Sequence, residues 1–349
     1  MMQASPSITR LLVSLSSLII IIAGLKVAAE LLGPVLLSLF IVLVTAPLVE
    51  WLRRRRVPNW LAYTIVVLGV LILGLLLIIF LGLSVSQLTA TLPKYRSLLD
   101  ARLPLLIQWL DARGIESADL LRLDFINPGR IIQLVIAFIS GLLGTLSNIA
   151  LTLFIFIYML VGASSFSRKL NRGLGLNNPM LDRIQSFSHS ISVYLFIKTG
   201  LGAMTAIGQV LLLWIVGVDF AVLWGVLSFL FNFVPNIGYI ISLIPPLVLA
   251  LLDLGIGKAV IVLVGYAAIN NFFDVVVGPR YLGKGLDLSI LVTFLSVIFW
   301  TWVLGPIGAF LALPLTVMLK KVVLEPYADT QLLATLMGAD DENEDETLI

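Results

Sequence analysis

The chain alternates long apolar runs with short polar breaks, and the runs outline its elements. Runs at 11–25, 34–51, 60–85, 149–161, 199–216 and 258–277 predict six membrane-crossing helices, the fourth extended by apolar residues from 131. At a rise of about 1.5 Å per residue, about 20 apolar residues cross the hydrocarbon layer. The first run follows Arg10 and continues past Lys26, which favours a helix that stays over a cleaved signal peptide. Lys26 and Glu30 stand one turn apart and are placed to pair.

Two further apolar stretches, 220–252 and 289–320, are interrupted on a common plan. Each begins Leu-Ser (Leu227 and Ser228; Leu295 and Ser296) and carries a later proline (Pro245 and Pro246; Pro314). Each breaks at a Pro/Gly element ending in Ile-Gly: Pro235, Asn236, Ile237 and Gly238 in the first, Gly305, Pro306, Ile307 and Gly308 in the second. The Ile-Gly pairs lie 70 residues apart, a weak internal repeat. Irregular backbone at membrane depth survives only inside protein or beside water, because hydrocarbon offers no hydrogen bonds. A matched pair of broken segments therefore points to a transporter's binding site; kinked helices packed without a ligand are the plainer reading.

Each limb of the first stretch has 15 residues, too few for a crossing. The expectation is a re-entrant hairpin entering and leaving from outside, mirrored by a second from inside. Two thin crossings per stretch would meet the same end points. The fold class is thus an all-α polytopic inner-membrane protein, with about six full transmembrane helices and two re-entrant hairpins among eight apolar elements.

Charge sets the orientation. Arg53, Arg54, Arg55 and Arg56 fill one short loop, and the segment 163–198 is rich in Arg and Lys with one acid, Asp182. Both belong on the cytoplasmic side, and both termini follow. Segment 86–148 is different: Lys94 to Arg130 carries six basic and five acidic residues. Leu92, Tyr95, Leu99, Leu106, Trp109 and Leu110 recur there at helical spacing. It is an extracytoplasmic amphipathic arm, either a surface spacer or an oligomerisation element. The organisation is therefore helices one to three over 1–85, the arm over 86–148, a transport core over 149–321 and an acidic cytoplasmic tail over 322–349.

Composition agrees: 60% of residues are apolar and 12% charged, against about 25% charged in soluble domains. There is no cysteine, which excludes disulfides, thiolate metal sites and cysteine nucleophiles. No HExxH, P-loop or GxSxG occurs; residues 283–287 (GKGLD) only faintly resemble a protease GxGD, with one residue too many. No enzyme activity, cofactor, metal or nucleic-acid partner is expected. His189, the single histidine, falls in a polar loop and reads as solvated.

The chemistry-bearing candidates lie in and between the broken stretches. Asn270, Asn271 and Asp274 sit in the run 258–277, with Asn270 and Asp274 four apart on one face. A carboxylate in a membrane span is costly and is a functional candidate by default. It is suited to a cation, a proton or a polar solute; pairing with Arg280 or Asn270 is the structural alternative. Asn232 and Asn236 flank the first break, where freed helix ends offer backbone dipoles. The candidate set is Asn232, Pro235, Asn236, Gly238, Asn270, Asn271, Asp274, Gly305, Pro306 and Gly308.

These residues carry a family resemblance, strongest over 194–321. The stretches are KTG at 198–200, FNFVPNIG at 231–238, IPP at 244–246, GPRYLGKG at 278–285, FWTWVLGPIG at 299–308 and LPLT at 313–316. Together they resemble the autoinducer-2 exporter family of bacterial membrane proteins. The resemblance implies a homo-oligomeric, pentameric inner-membrane transporter that exports autoinducer-2 or, as in other members, exchanges sodium for protons. One departure stands out. The family pattern commonly has an acid or small polar residue before the proline equivalent to Pro279; here it is Gly278, and Asp274 lies one turn earlier.

Three readings follow. The first is a secondary transporter exporting a small polar solute by alternating access. The second is a sodium or lithium/proton antiporter using Asp274. The third is a membrane scaffold that transports nothing.

Overall fold

The computed structural model describes residues 8–111, 137, 149–174, 179–234, 237–282, 288–327 and 329–338. Among these, every element is helical: α1 (Ile8–Val27), α2 (Ala29–Arg54), α3 (Asn59–Asp111), α4 (Ile149–Leu174), α5 (Pro179–Val216), α6 (Ala221–Phe231), α7 (Ile237–Leu249), α8 (Ile256–Asn271), α9 (Gly278–Leu282), α10 (Ile290–Leu304), α11 (Pro306–Met318) and α12 (Gln331–Leu336). Three wider π-helical segments, Ala250–Leu254, Phe272–Val277 and Leu319–Leu324, prolong α7, α8 and α11.

Five described helical stretches are long and apolar enough to cross a membrane: Ala29–Arg54, Asn59–Thr91, Gln185–Val216, Ile256–Val277 and Pro306–Leu324. This is a multi-pass membrane protein. The span in α3 leaves Leu68, Ile72, Leu75 and Ile79 half or more exposed. So large an apolar face is incompatible with water and fits lipid.

Several helices outrun their expected limits. α3 continues unbroken to Asp111 and absorbs the start of the amphipathic arm. α4 reaches Leu174 instead of 161, and α5 begins at Pro179 instead of 199, so most of the expected polar loop is helix. Apolar run length marks where lipid ends, whereas helix continues past that edge, in α3 even through Pro93 and Pro104. The rest of the arm (112–136 and 138–148) and the tail from 339 lie outside the described residues, as does the whole GKGLD segment.

The two broken stretches are two packed helical pairs, α6 with α7 and α10 with α11. Lys94 at the far end of α3 reaches Asp219, just before α6, and Asp253, just after α7, each at 3.2 Å. Both open ends of the first pair therefore lie at the end of the molecule opposite the arginine loop. The second pair is inverted. Its break sits at the α1–α2 turn, where Lys26 Nζ stands 3.9 Å from the centroid of the Trp302 ring and a Cβ on Gly33 would lie 3.0 Å from Ile307. Met318 and Val322, at its other end, face a cavity shared with Glu50 and Arg54. The cation–π contact of Lys26 replaces the expected pairing with Glu30.

Between the pairs run α2, α5 and α8. Ser38 is fully buried and its hydroxyl bonds the carbonyls of Pro34 (2.6 Å) and Thr152 (2.7 Å), joining α2 to α4. Small residues let α5 approach its neighbours: Gly208 meets Ile269, and Gly265 of α8 meets Leu212. Close backbone approach is the usual basis of helix association in lipid, where no hydrophobic driving force acts between helices.

Candidate transport site

Glycine builds both breaks. A Cβ on Gly238 would collide with the Phe231 carbonyl of the opposite limb, and one on Gly308 with the Trp300 carbonyl. The two Ile-Gly pairs of the repeat thus do the same physical job. Gly305 acts differently: its φ is +68° and ψ −150°, a conformation open essentially to glycine alone. Pro306 follows at the first position of α11, where its missing N–H costs nothing. The Trp300 indole donates to the Thr316 hydroxyl at 3.0 Å and ties the limbs together. Pro235 and Asn236 lie outside the described residues.

The breaks bring the two pairs together. Phe233, at the end of the first pair's break, lies 4.5 Å from Phe310, one turn into the second, between ring centroids. Phe40 of α2 touches both, at 5.5 Å and 4.7 Å. Below this aromatic cluster, toward the arginine loop, a cavity of about 1290 Å³ is bounded by Leu39 and Leu43 of α2, Ile191 and Ser192 of α5, and Met318. Its outer rim carries Glu50, Arg54, Lys169 and His189. His189 is exposed.

Asp274 pairs with neither Arg280 nor Asn270. Its carboxylate accepts a hydrogen bond from Lys198 of α5 at 3.1 Å, with side-chain exposures of 36% and 17%. The sequence placed Lys198 in a loop; the longer α5 carries it beside α8. Asn271 turns back on its own helix, donating to the Ala267 carbonyl at 2.9 Å on an exposed face, and does not join the site. Asn270 is half-buried. The π segment from Phe272 re-phases the helix, so a simple four-residue spacing does not govern how Asp274 stands to Asn270.

Asn232 packs against Gly202 of α5, where a Cβ would strike its amide nitrogen. That nitrogen is buried without a hydrogen-bond partner, as are both amide atoms of Gln209 and the Tyr266 hydroxyl. Each such group costs about 1–3 kcal/mol if left unsatisfied. Tyr266 gives no signal in the sequence, since a tyrosine in an apolar run is ordinarily core; Gln209 is one of the few polar residues in the apolar run of α5.

At the opposite end, Lys94, Tyr95, Asp219 and Asp253 form a clamp, with the Tyr95 hydroxyl donating to Asp219 at 2.7 Å. Burial alone would raise the Asp219 carboxyl, but the Tyr95 and Lys94 hydrogen bonds outweigh it and hold it below the ordinary carboxylate range. Lys94 is opposed by burial yet held above its ordinary value by the two carboxylates. Lys258 donates to the last-turn carbonyl of Val216 at 3.0 Å, capping α5 on the same side.

Inverted helical pairs meeting at their breaks, inside a multi-pass helical protein, are an arrangement suited to a membrane transporter. Residues 15–327 match the family described as AI-2E family transporter, and the chain belongs to it. It is 36% identical over 341 residues to the AI-2 transport protein TqsA of Escherichia coli K12, covering 96% of this chain and 98% of that one. It is 34% identical over 346 residues to a putative transport protein of Haemophilus influenzae (97% and 98% covered). With the putative transport protein YhhT of Escherichia coli K12 it shares 33% over 330 residues (94% of each).

Proposed function

We propose that this transporter exports a small polar solute of the AI-2 kind named for its Escherichia coli relative, by alternating access. In this reading it works as a homo-oligomer in the bacterial inner membrane, with both termini cytoplasmic, and the two broken pairs are re-entrant hairpins from opposite faces. The observation that carries it is the meeting of Phe233 and Phe310 at 4.5 Å, in one packed cluster with Ile191 and Leu43, which line the cavity on the arginine side. In this reading the basic loop lies on the cytoplasmic side, and the cavity faces in while the Lys94 clamp, seen here as two ion pairs, holds the outer side shut. Separation of the aromatic cluster and opening of the clamp would expose the site outward. Candidate site residues remain Asn232, Pro235, Asn236, Gly238, Asn270, Asp274, Gly305, Pro306 and Gly308, with Lys198 added as the partner of Asp274.

The test is accumulation of AI-2 in cells lacking other exporters: expression of this chain should raise the external to internal ratio, and a ratio equal to empty vector, with the protein inserted, refutes the reading. A second reading, cation/proton antiport, draws on one observation, a carboxylate in a span held by a displaceable ammonium. Sodium- or lithium-dependent proton flux in everted vesicles, lost in Asp274→Asn, would support it; no flux above empty vesicles would end it.

A further inference from the structure

We infer that the seam between α5, the α6–α7 pair and α8 binds a small uncharged solute bearing hydroxyl groups, through Gln209, Asn232 and Tyr266. This deepens the transport reading above and rests on it. Among the described residues, the buried side-chain nitrogen and oxygen atoms without a hydrogen-bond partner number four, and all belong to these three residues: Nε2 and Oε1 of Gln209, Nδ2 of Asn232 and the hydroxyl of Tyr266. Gln209 and Tyr266 are fully buried. Native structures rarely leave such groups unsatisfied, and each instance calls for a ligand, a water or a strain role. In a membrane interior the demand is stronger still.

Three helices bring them into one seam. Gly202 of α5 abuts Asn232, Gly225 of α6 abuts Val210, and Gly208 and Leu212 abut Ile269 and Gly265 of α8; Tyr266 packs in one buried cluster with Leu213 of α5 and Leu227 and Phe231 of α6. Helical spacing along α5 puts Lys198, Gly202, Thr205 and Gln209 on one stripe, between the positions that meet α6 and those that meet α8. Thr205 is already satisfied by the Leu201 carbonyl at 3.0 Å. The stripe thus leads from the Lys198–Asp274 pair, past Asn232, to Gln209.

The chemistry of the orphaned atoms selects the ligand. Two are amide nitrogens, which only donate; one is an amide oxygen, which only accepts; the phenol does both. A bare monovalent cation needs oxygen ligands and is repelled by N–H donors. An anion needs a positive partner, and residues 199–216, 221–234 and 259–273 hold no charged side chain. The one nearby ammonium, Lys198, is already matched by Asp274. Hydroxyl groups, which donate and accept, satisfy the whole set.

The absence of cysteine allows a direct test in the full chain. Gln209→Cys, reconstituted in lipid nanodiscs, is treated with a charged, membrane-impermeant methanethiosulfonate, alongside Ile207→Cys, whose side chain faces outward on the same helix. Labelling at 209 and not at 207, slowed by erythritol or glycerol and unchanged by lithium or sodium chloride, is the expected result. Failure to label at 209 means a sealed, dry seam and overturns the inference. Protection by the cations in place of the polyols overturns the ligand class, and labelling without polyol protection overturns binding. Gln209→Leu separates this inference from its foundation. In the export assay it should weaken apparent affinity by about tenfold, as for one lost hydrogen bond. Unchanged export in Gln209→Leu sinks this site while transport stands, whereas no export by the wild type sinks the transport reading itself.

Discussion

Lys198 of α5 and Asp274 at the end of α8 form an ion pair 3.1 Å long across 76 residues of sequence. Both lie in apolar spans, so each is costly alone and tolerable beside the other. Removing one partner should be worse than removing both. A double-mutant cycle with Lys198→Gln and Asp274→Asn, read by thermal unfolding, should give a coupling of about 1–3 kcal/mol, between the values for exposed and fully buried pairs. In export assays the double variant should retain more activity than either single one. A coupling near zero would mean that the pair contributes nothing to the fold.

Gly238 and Gly308 should each reject a methyl group. Alanine at either position meets a carbonyl of the opposite limb, and overpacking of this kind costs about 1–3 kcal/mol. Alanine at Gly69, with nothing within 4 Å, should be neutral or stabilising by up to about 1 kcal/mol. Unfolding temperatures in detergent compare the three. Similar values for all would show that the limbs have room to part.

Gly305→Ala should destabilise for a different reason. No atom lies within 4 Å of its would-be Cβ, so the cost is the backbone at φ +68°, about 1–3 kcal/mol. Loss of stability in Gly305→Ala, with the Trp302 environment at the break altered in its fluorescence, is the expected outcome. An unchanged unfolding curve would show that the break relaxes freely.

The outer clamp should be acid-sensitive. The Asp219 carboxyl is held below its ordinary range in the folded state. Its contribution is therefore complete above the unfolded carboxylate value near pH 4 and fades as pH falls through the lower folded value. Thermal stability should drop on acidification below about pH 4, and Asp219→Asn should flatten part of that slope. A slope identical in the variant would assign the acid sensitivity elsewhere.

Much of the architecture is legible in the sequence. Gly238 and Gly308 stand out as a repeat 70 residues apart, and both press on a carbonyl across their hairpin. Asp274 stands out as a carboxylate in an apolar run. Its partner does not, because the basic segment 163–198 reads as a loop. Charge density marks the edge of the lipid, and nothing in it shows that α5 continues through that edge as helix. Asn271, a near neighbour of Asp274 in sequence, bonds its own helix at the Ala267 carbonyl, since proximity in sequence does not decide which side of a helix a residue occupies.

Sequence alone determined the membrane character of this chain, the places where its helices break and the positions of its basic segments. These depend on local quantities: run length, proline, glycine and charge. Only the tertiary structure decided that Lys198 meets Asp274, that Phe233 meets Phe310, and that polar atoms of Gln209, Asn232 and Tyr266 are buried without hydrogen-bond partners. Those contacts depend on the facing of helices distant in sequence, and on π segments that shift helix phase; such relationships are set by packing and leave no linear trace.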